Sequence, residues 1–116
     1  MAIADDTKIL KSLLNYEFFD NNKNRLKATL FDDEVADIYQ VINEAHAKYE
    51  HDLNEEEVFQ LWKKKYPVAT RAEIDSMQDI IGHIRNVEPI SFDIANDVIE
   101  DLWKREVGRK VAHIGL

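Results

Sequence analysis

The residues best equipped for chemistry lie between His46 and His51, where two imidazoles flank the carboxylate of Glu50. A spacing of four residues puts His46 and Glu50 on one face of a helix, and zinc accepts nitrogen and oxygen ligands from such a pair. A small metal-dependent hydrolase would use His46, Glu50 and His51 in this way. The same spacing also describes an ordinary His–carboxylate neighbour pair on a solvated helix, which is the expected reading. A second set, Asp32, Asp33, Glu34 and Asp37, offers the oxygen ligands a hard cation needs. It lacks an oxygen-ligand loop pattern, however, and acids at a helix start are favoured by the helix dipole without any ion. No metal is expected at either place. Lys63-Lys64-Lys65 can meet a phosphate backbone, but lysines at a helix C-terminus are favoured by the same dipole, and that structural reading is preferred.

Reaction motifs are missing. Glycine occurs only at positions 82, 108 and 115, so the chain forms neither a phosphate-cradling G-x-x-x-x-G-K-[ST] loop nor a dinucleotide G-x-G-x-x-G turn. There is no H-E-x-x-H pair for zinc and no G-x-S-x-G elbow for a serine nucleophile. The chain is read as a non-enzyme with no cofactor, and its function has to be sought in its surfaces.

Charge narrows the choice of partner. The formal net charge is −8, and an acidic surface repels phosphate backbones through the field by which a basic one attracts them. Autonomous nucleic-acid binding is therefore not expected. Acids crowd the stretch from Asp32 to Glu57, whereas basic residues gather at 63–65 and at Lys104, Arg105, Arg109 and Lys110. Most such runs are solvated faces.

These residues need elements to hold them. With 116 residues, one domain is expected, and with only three Gly and two Pro a helical fold is favoured over one built on turns. There is no cysteine, hence no disulfide framework, and no long apolar run or leader pattern. A cytoplasmic protein without a membrane span is expected, in the host cytoplasm if phage-encoded.

The expected class is all-α, a small bundle of about five short helices followed by a long C-terminal helix that begins a helical hairpin. Asp5, Asp6 and Thr7 offer cap chemistry to a first helix carrying Ile9, Leu10, Leu13 and Leu14 and ending near Asn15. Tyr16, Phe18 and Phe19 start a short second helix, with a polar loop or frayed turn at 20–24, after which Leu26 and Leu30 return to the core. Asp32 and Asp33 cap a third helix with Val35, Ile38, Ile42, Ala45 and Tyr49 as its apolar stripe. Asn54 with Glu57 and Thr70 with Glu73 read as capping boxes. The first opens a fourth helix with Val58, Phe59, Leu61 and Trp62, ended by Pro67. The second opens a fifth with Ile74, Met77, Ile81 and Ile84, interrupted by Gly82. Residues 1–90 form the globule and residues 91–116 the long helix, capped by Ser91, in what is treated as one domain.

That last helix changes face. At ~100° per residue, Ile94, Ala95, Val98, Ile99 and Leu102 share one arc, and Trp103, Val107, Val111 and Ile114 share another, well over a quarter of a circle away. Two surfaces are expected to meet it, the globule first and a partner second. A tryptophan beside Arg105 and Arg109 is interface composition, so Trp103, Val107, Val111, Ile114, Arg105 and Arg109 are the candidate partner interface. The competing reading is a helix that bends at Gly108 and folds back on its own domain.

The pattern resembles the N-terminal domain of the DnaB-like hexameric replicative DNA helicases of bacteria and phages, and it looks closest to those of T-even-type phages. The matching residues are Ile9-Leu10-Lys11-Ser12-Leu13-Leu14, Leu30-Phe31-Asp32-Asp33-Glu34 leading to Ile38-Tyr39-Gln40-Val41-Ile42, Asp52-Leu53-Asn54 before Val58, and the run from Ile94 to Glu106. They match as apolar positions and helix starts over nearly the whole chain. The resemblance implies a helical globule followed by a helical hairpin, through which subunits pair into dimers within a hexamer collar that receives the primase in DNA replication. It also implies that the ATP-dependent motor is a separate domain. The sequence departs from that pattern by stopping at Leu116, where a second hairpin helix would follow. The alternative expectation is a free-standing acidic phage regulatory protein that binds a basic host protein, or mimics DNA, through the Asp32 to Glu57 face.

Overall fold

A computed structural model describes the backbone of residues 3–114 and the side chains of residues 6–106. It is all-helical: α1 spans Ile3–Leu13, α2 Tyr16–Asn22, α3 Asp33–Tyr49, α4 Glu55–Lys65, α5 Arg71–Asn86 and α6 Phe92–Ile114. Two single 3-10 turns, Lys23–Arg25 and Ala28–Leu30, join α2 to α3.

The hydrophobic stripe of α1 places it at the centre. Ile9, Leu10 and Leu13 are all but fully enclosed, and α1 packs against α2, α3, α5 and α6. Each such side chain contributes roughly 1.5–3 kcal/mol by leaving water. α3 adds Ile38 and Ile42, α4 Val58 and Trp62, α5 Ile81 and Ile84, and α6 Ala95 and Ile99. Trp62 is buried, as its place on the apolar side of α4 suggested.

Helix starts follow the local chemistry. In both capping boxes the bonds are reciprocal: Asn54 Oδ1 accepts from the Glu57 amide while Glu57 accepts from the Asn54 amide, and Thr70 and Glu73 repeat the exchange. Each box satisfies amides that the first turn of a helix leaves open. Ser91 Oγ accepts from the Ile94 amide at 3.3 Å and so caps α6. The far end of α5 is closed from outside its own sequence, where Lys11 Nζ donates to the carbonyls of Arg85 and Val87 at 3.0 and 2.9 Å. A cation is well placed there, beside the negative end of the helix dipole.

Several boundaries differ from the sequence reading. α1 already includes Asp5, Asp6 and Thr7, so they do not cap it; Asp6 and Thr7 lie buried within the helix. α1 stops at Leu13, because Asn15 caps α2 instead, its Oδ1 accepting from the Phe18 amide at 2.9 Å. The polar stretch at 20–24 continues α2 to Asn22, since Asn22 has buried partners that make its amide group part of the core. Asp32 sits at the N-cap of α3 without a side-chain cap bond. α3 ends where Glu50 adopts a left-handed backbone, φ 53°.

Candidate protein-interaction site

α6 is seated by its first half. Ala95 and Ile99 are completely enclosed, Val98 packs against the core from one side, and Asn96 Oδ1 accepts from the buried Asn22 amide at 2.8 Å on the other. Phe92 stacks on Phe18 with ring centroids 4.6 Å apart. The seat lies on α1, α2 and the two 3-10 turns. Ile94, expected in that seat, is 55% exposed. The burial line runs through Ala95 and Ile99, and the polar Asn22–Asn96 contact turns the helix toward Asn96 and away from Ile94.

Beyond the seat α6 continues as one helix through Gly108 to Ile114, without the break that folding back there requires. Of the candidate partner residues, Trp103 is partly exposed and Arg105 is exposed. The side chains of Val107, Arg109, Val111 and Ile114 lie outside the described residues. Glu100 and Lys104 form an i,i+4 ion pair at 3.8 Å.

A second surface was not legible in the sequence. Two hollows of about 310 and 300 Å³ lie between α3 and α4 and share Tyr49 and Leu61. Val41 and Ala45 line the first and Leu53 the second, so the floor of this groove is apolar. Lys48 and Lys64 border the first hollow, and Glu56 and Glu57 border the second. Lys65 is held there by Glu44, Nζ to Oε2 2.8 Å, and this hydrogen bond raises its pKa above the ordinary lysine value. Tyr49 and Leu61 both read as core stripe residues, yet Tyr49 is 40% exposed. A signal existed for Leu61. At ~100° per residue it lies roughly a quarter-turn off the direction shared by Val58, Phe59 and Trp62.

Further along the same interface of helices, Asp37, Trp62 and Glu73 line a crevice between α3, α4 and the start of α5. Burial raises the Asp37 carboxyl above its ordinary range, and the nearby Lys65 opposes that shift. Trp62 Nε1 is buried there without an acceptor.

The residues considered for metal chemistry are sent to different partners. His46 is buried rather than solvated, its Nε2 bonded to the Leu13 carbonyl at 2.7 Å. Glu50 accepts from the Tyr16 hydroxyl, and His51 Nδ1 meets the Asp52 carbonyl. Among the described residues no group of three or more His, Cys, Asp or Glu is placed to hold a metal ion. Many acids between 32 and 57 have local structural roles: Glu34 accepts from Ser76 Oγ, Asp52 from the Tyr16 amide, and Glu57 closes its capping box. No described helix is long and apolar enough to cross a membrane.

No family model, curated protein or solved structure matches this chain.

Proposed function

We propose that the chain is a non-catalytic assembly and docking domain of a DnaB-like, phage-type replicative helicase. In that role α6 joins subunits within the hexamer collar, and the domain presents a surface to the primase during DNA replication. The observation that carries this reading is the division of α6. Its first half is fastened to a helical globule by Ala95, Ile99 and the Asn22–Asn96 bond, while its second half runs on as uninterrupted helix to Ile114. A globule followed by the first arm of a hairpin is the layout that the resemblance implies. Trp103, partly exposed, and Arg105, exposed on the same helix, are of residue types enriched in protein contacts.

Burying Trp103 and its stripe against a second subunit contributes several kcal/mol, at ~1.5–3 per large side chain, before the cost of association. Sedimentation equilibrium of the protein and of Trp103→Glu tests this. Concentration-dependent dimers that Trp103→Glu dissociates are expected, and identical monomers at high concentration would sink the reading. The gene provides a second test. A reading frame that continues past Leu116 into a phosphate-loop motif supports a helicase subunit, and a stop codon there favours the acidic regulator.

A further inference from the structure

We propose that the crevice between α3, α4 and the start of α5 is a pocket for one arginine side chain of a basic segment in a partner protein. The guanidinium meets Asp37 and Glu73, and a backbone carbonyl of the same segment accepts from Trp62 Nε1. This goes beyond the assembly reading and does not depend on how α6 pairs.

Two unmet demands of opposite kind share this crevice. Asp37, Trp62 and Glu73 line both of its hollows, of about 170 and 310 Å³. Trp62 is 4% exposed, and its Nε1 is buried with no acceptor. Native proteins leave few buried donors unpaired, so this one requires an explanation. The carboxylates are the second demand. Glu34 and Glu73 sit in first helical turns, where the dipole alone favours acids, but Asp37 lies a turn further along α3 and is not explained that way. Burial raises its carboxyl most, Lys65 opposes the shift, and Asp33 and Glu34 add to it. Lys65 is itself bound to Glu44, so the acids of the crevice have no cation of their own.

An arginine within a peptide answers both demands. Its guanidinium brings a permanent charge and a fork of N–H donors suited to carboxylates, while the adjoining backbone brings the carbonyl that an indole N–H needs. A metal ion fits less well. Among the described residues no group of three or more His, Cys, Asp or Glu is placed to hold one, and an ion offers Trp62 no acceptor. The hollows lie at or below the lower end of small-molecule pockets, ~300–1,000 Å³, a size suited to one side chain. Exposed Tyr66 and Val68 border the smaller hollow and give the methylene stem of the arginine an apolar rim. Trp62 Nε1 is closed to water, so the arriving segment parts the walls of the crevice before its carbonyl reaches the indole.

Proton–nitrogen NMR of the full chain tests the pocket, with acetyl-alanyl-arginyl-alanine amide as the probe and its citrulline counterpart as the uncharged control. Trp62 and Trp103 give the two indole N–H signals, and Trp103→Phe tells them apart. The arginine peptide moves the Trp62 signal downfield and saturably, as a donor gaining an acceptor does, and the citrulline peptide binds about tenfold more weakly. Asp37→Asn and Glu73→Gln each weaken binding about tenfold. Both keep the shape of the side chain, glutamine preserves the capping box, and the backbone amide spectrum checks the fold of each variant. Glu17→Gln, at an exposed acid on α2, leaves binding unchanged. Equal binding of the two peptides overturns the pocket. So does equal weakening by Glu17→Gln, which would mean general attraction to a chain of net charge −8. Shifts that spare the Trp62 indole, or no binding at millimolar peptide, overturn it as well.

Discussion

His46 on α3 and Leu13 at the end of α1 are joined by a 2.7 Å hydrogen bond across 33 residues of sequence. A carbonyl only accepts, so the neutral ring carries its proton on Nε2, and Nδ1 is left buried without a partner. The rings of Tyr16 and Phe19 lie against the imidazole at centroid distances of 5.4 and 4.7 Å. His46 thus ties α1, α2 and α3 together as a neutral core residue. Burial pushes its pKa below the ordinary histidine value, against the raising effect of the Leu13 carbonyl. The unfolded chain therefore binds a proton that the folded chain resists. Stability is complete above the ordinary value of about 6.5 and falls as pH drops through and below it. Urea unfolding between pH 8 and pH 5 checks this. The midpoint should fall with acidification across that window, and His46→Gln should flatten the slope. An unchanged slope in the variant would assign the acid sensitivity to other groups.

Gly82 lies inside α5, and a methyl group placed on it meets nothing within 4 Å. Its backbone is ordinary helix, with no positive φ. Gly82→Ala therefore loses no packing and removes the entropy cost of ordering glycine, so it should stabilise the protein by about 1 kcal/mol. Thermal unfolding reads this as a higher midpoint. A lower one would mean that α5 is more crowded around Gly82 than its contacts indicate.

Asn22 is enclosed, and its side chain is fully engaged. Nδ2 donates to the Phe18 carbonyl and to Asn96 Oδ1, while Oδ1 accepts from Arg25 Nη2 at 2.8 Å. Truncation strands partners in a partly dry site. Asn22→Ala should cost about 1–3 kcal/mol in chemical denaturation. Amide exchange in the first half of α6 should also quicken, since Asn96 loses its anchor. A loss confined to α2 would show that Asn96 does not help seat the helix.

How far the sequence is legible depends on whether a residue's neighbours are near in the chain. The capping boxes of α4 and α5 and the Ser91 cap could be read in advance, because each is a bond across three residues between side chain and backbone. The apolar stripes of α3 and α5 were legible for the same reason, since a period of 3.6 is a local property. Asn22 was not. As a polar residue in an Asn-rich run it belongs in a loop until Asn96, 74 residues away, gives its amide a partner. His46 likewise read as a surface residue because the carbonyl that holds it belongs to another helix. The α3/α4 groove was hidden for a related reason, as hydrophobic pattern records which residues are apolar and not which of them the neighbouring helix leaves uncovered.

The orientation of α6 shows this at single-residue scale and gives the last prediction. Periodicity groups Ile94 with Ala95, Val98 and Ile99 on one arc, and the arc alone does not fix which edge faces the globule. Tertiary partners fix it: Phe18 takes Phe92 and Asn22 takes Asn96, which rotates the helix until Ile99 is sealed and Ile94 is 55% exposed. Two chemically identical truncations should then differ sharply. Ile99→Ala leaves a cavity in a closed core and should cost about 2–5 kcal/mol, whereas Ile94→Ala should stay within about 0.5 kcal/mol of the parent. Urea denaturation of the two variants side by side measures the difference. Equal losses would place the burial line midway between them and return α6 to the orientation its sequence pattern suggests, with Asn96 drawn away from Asn22.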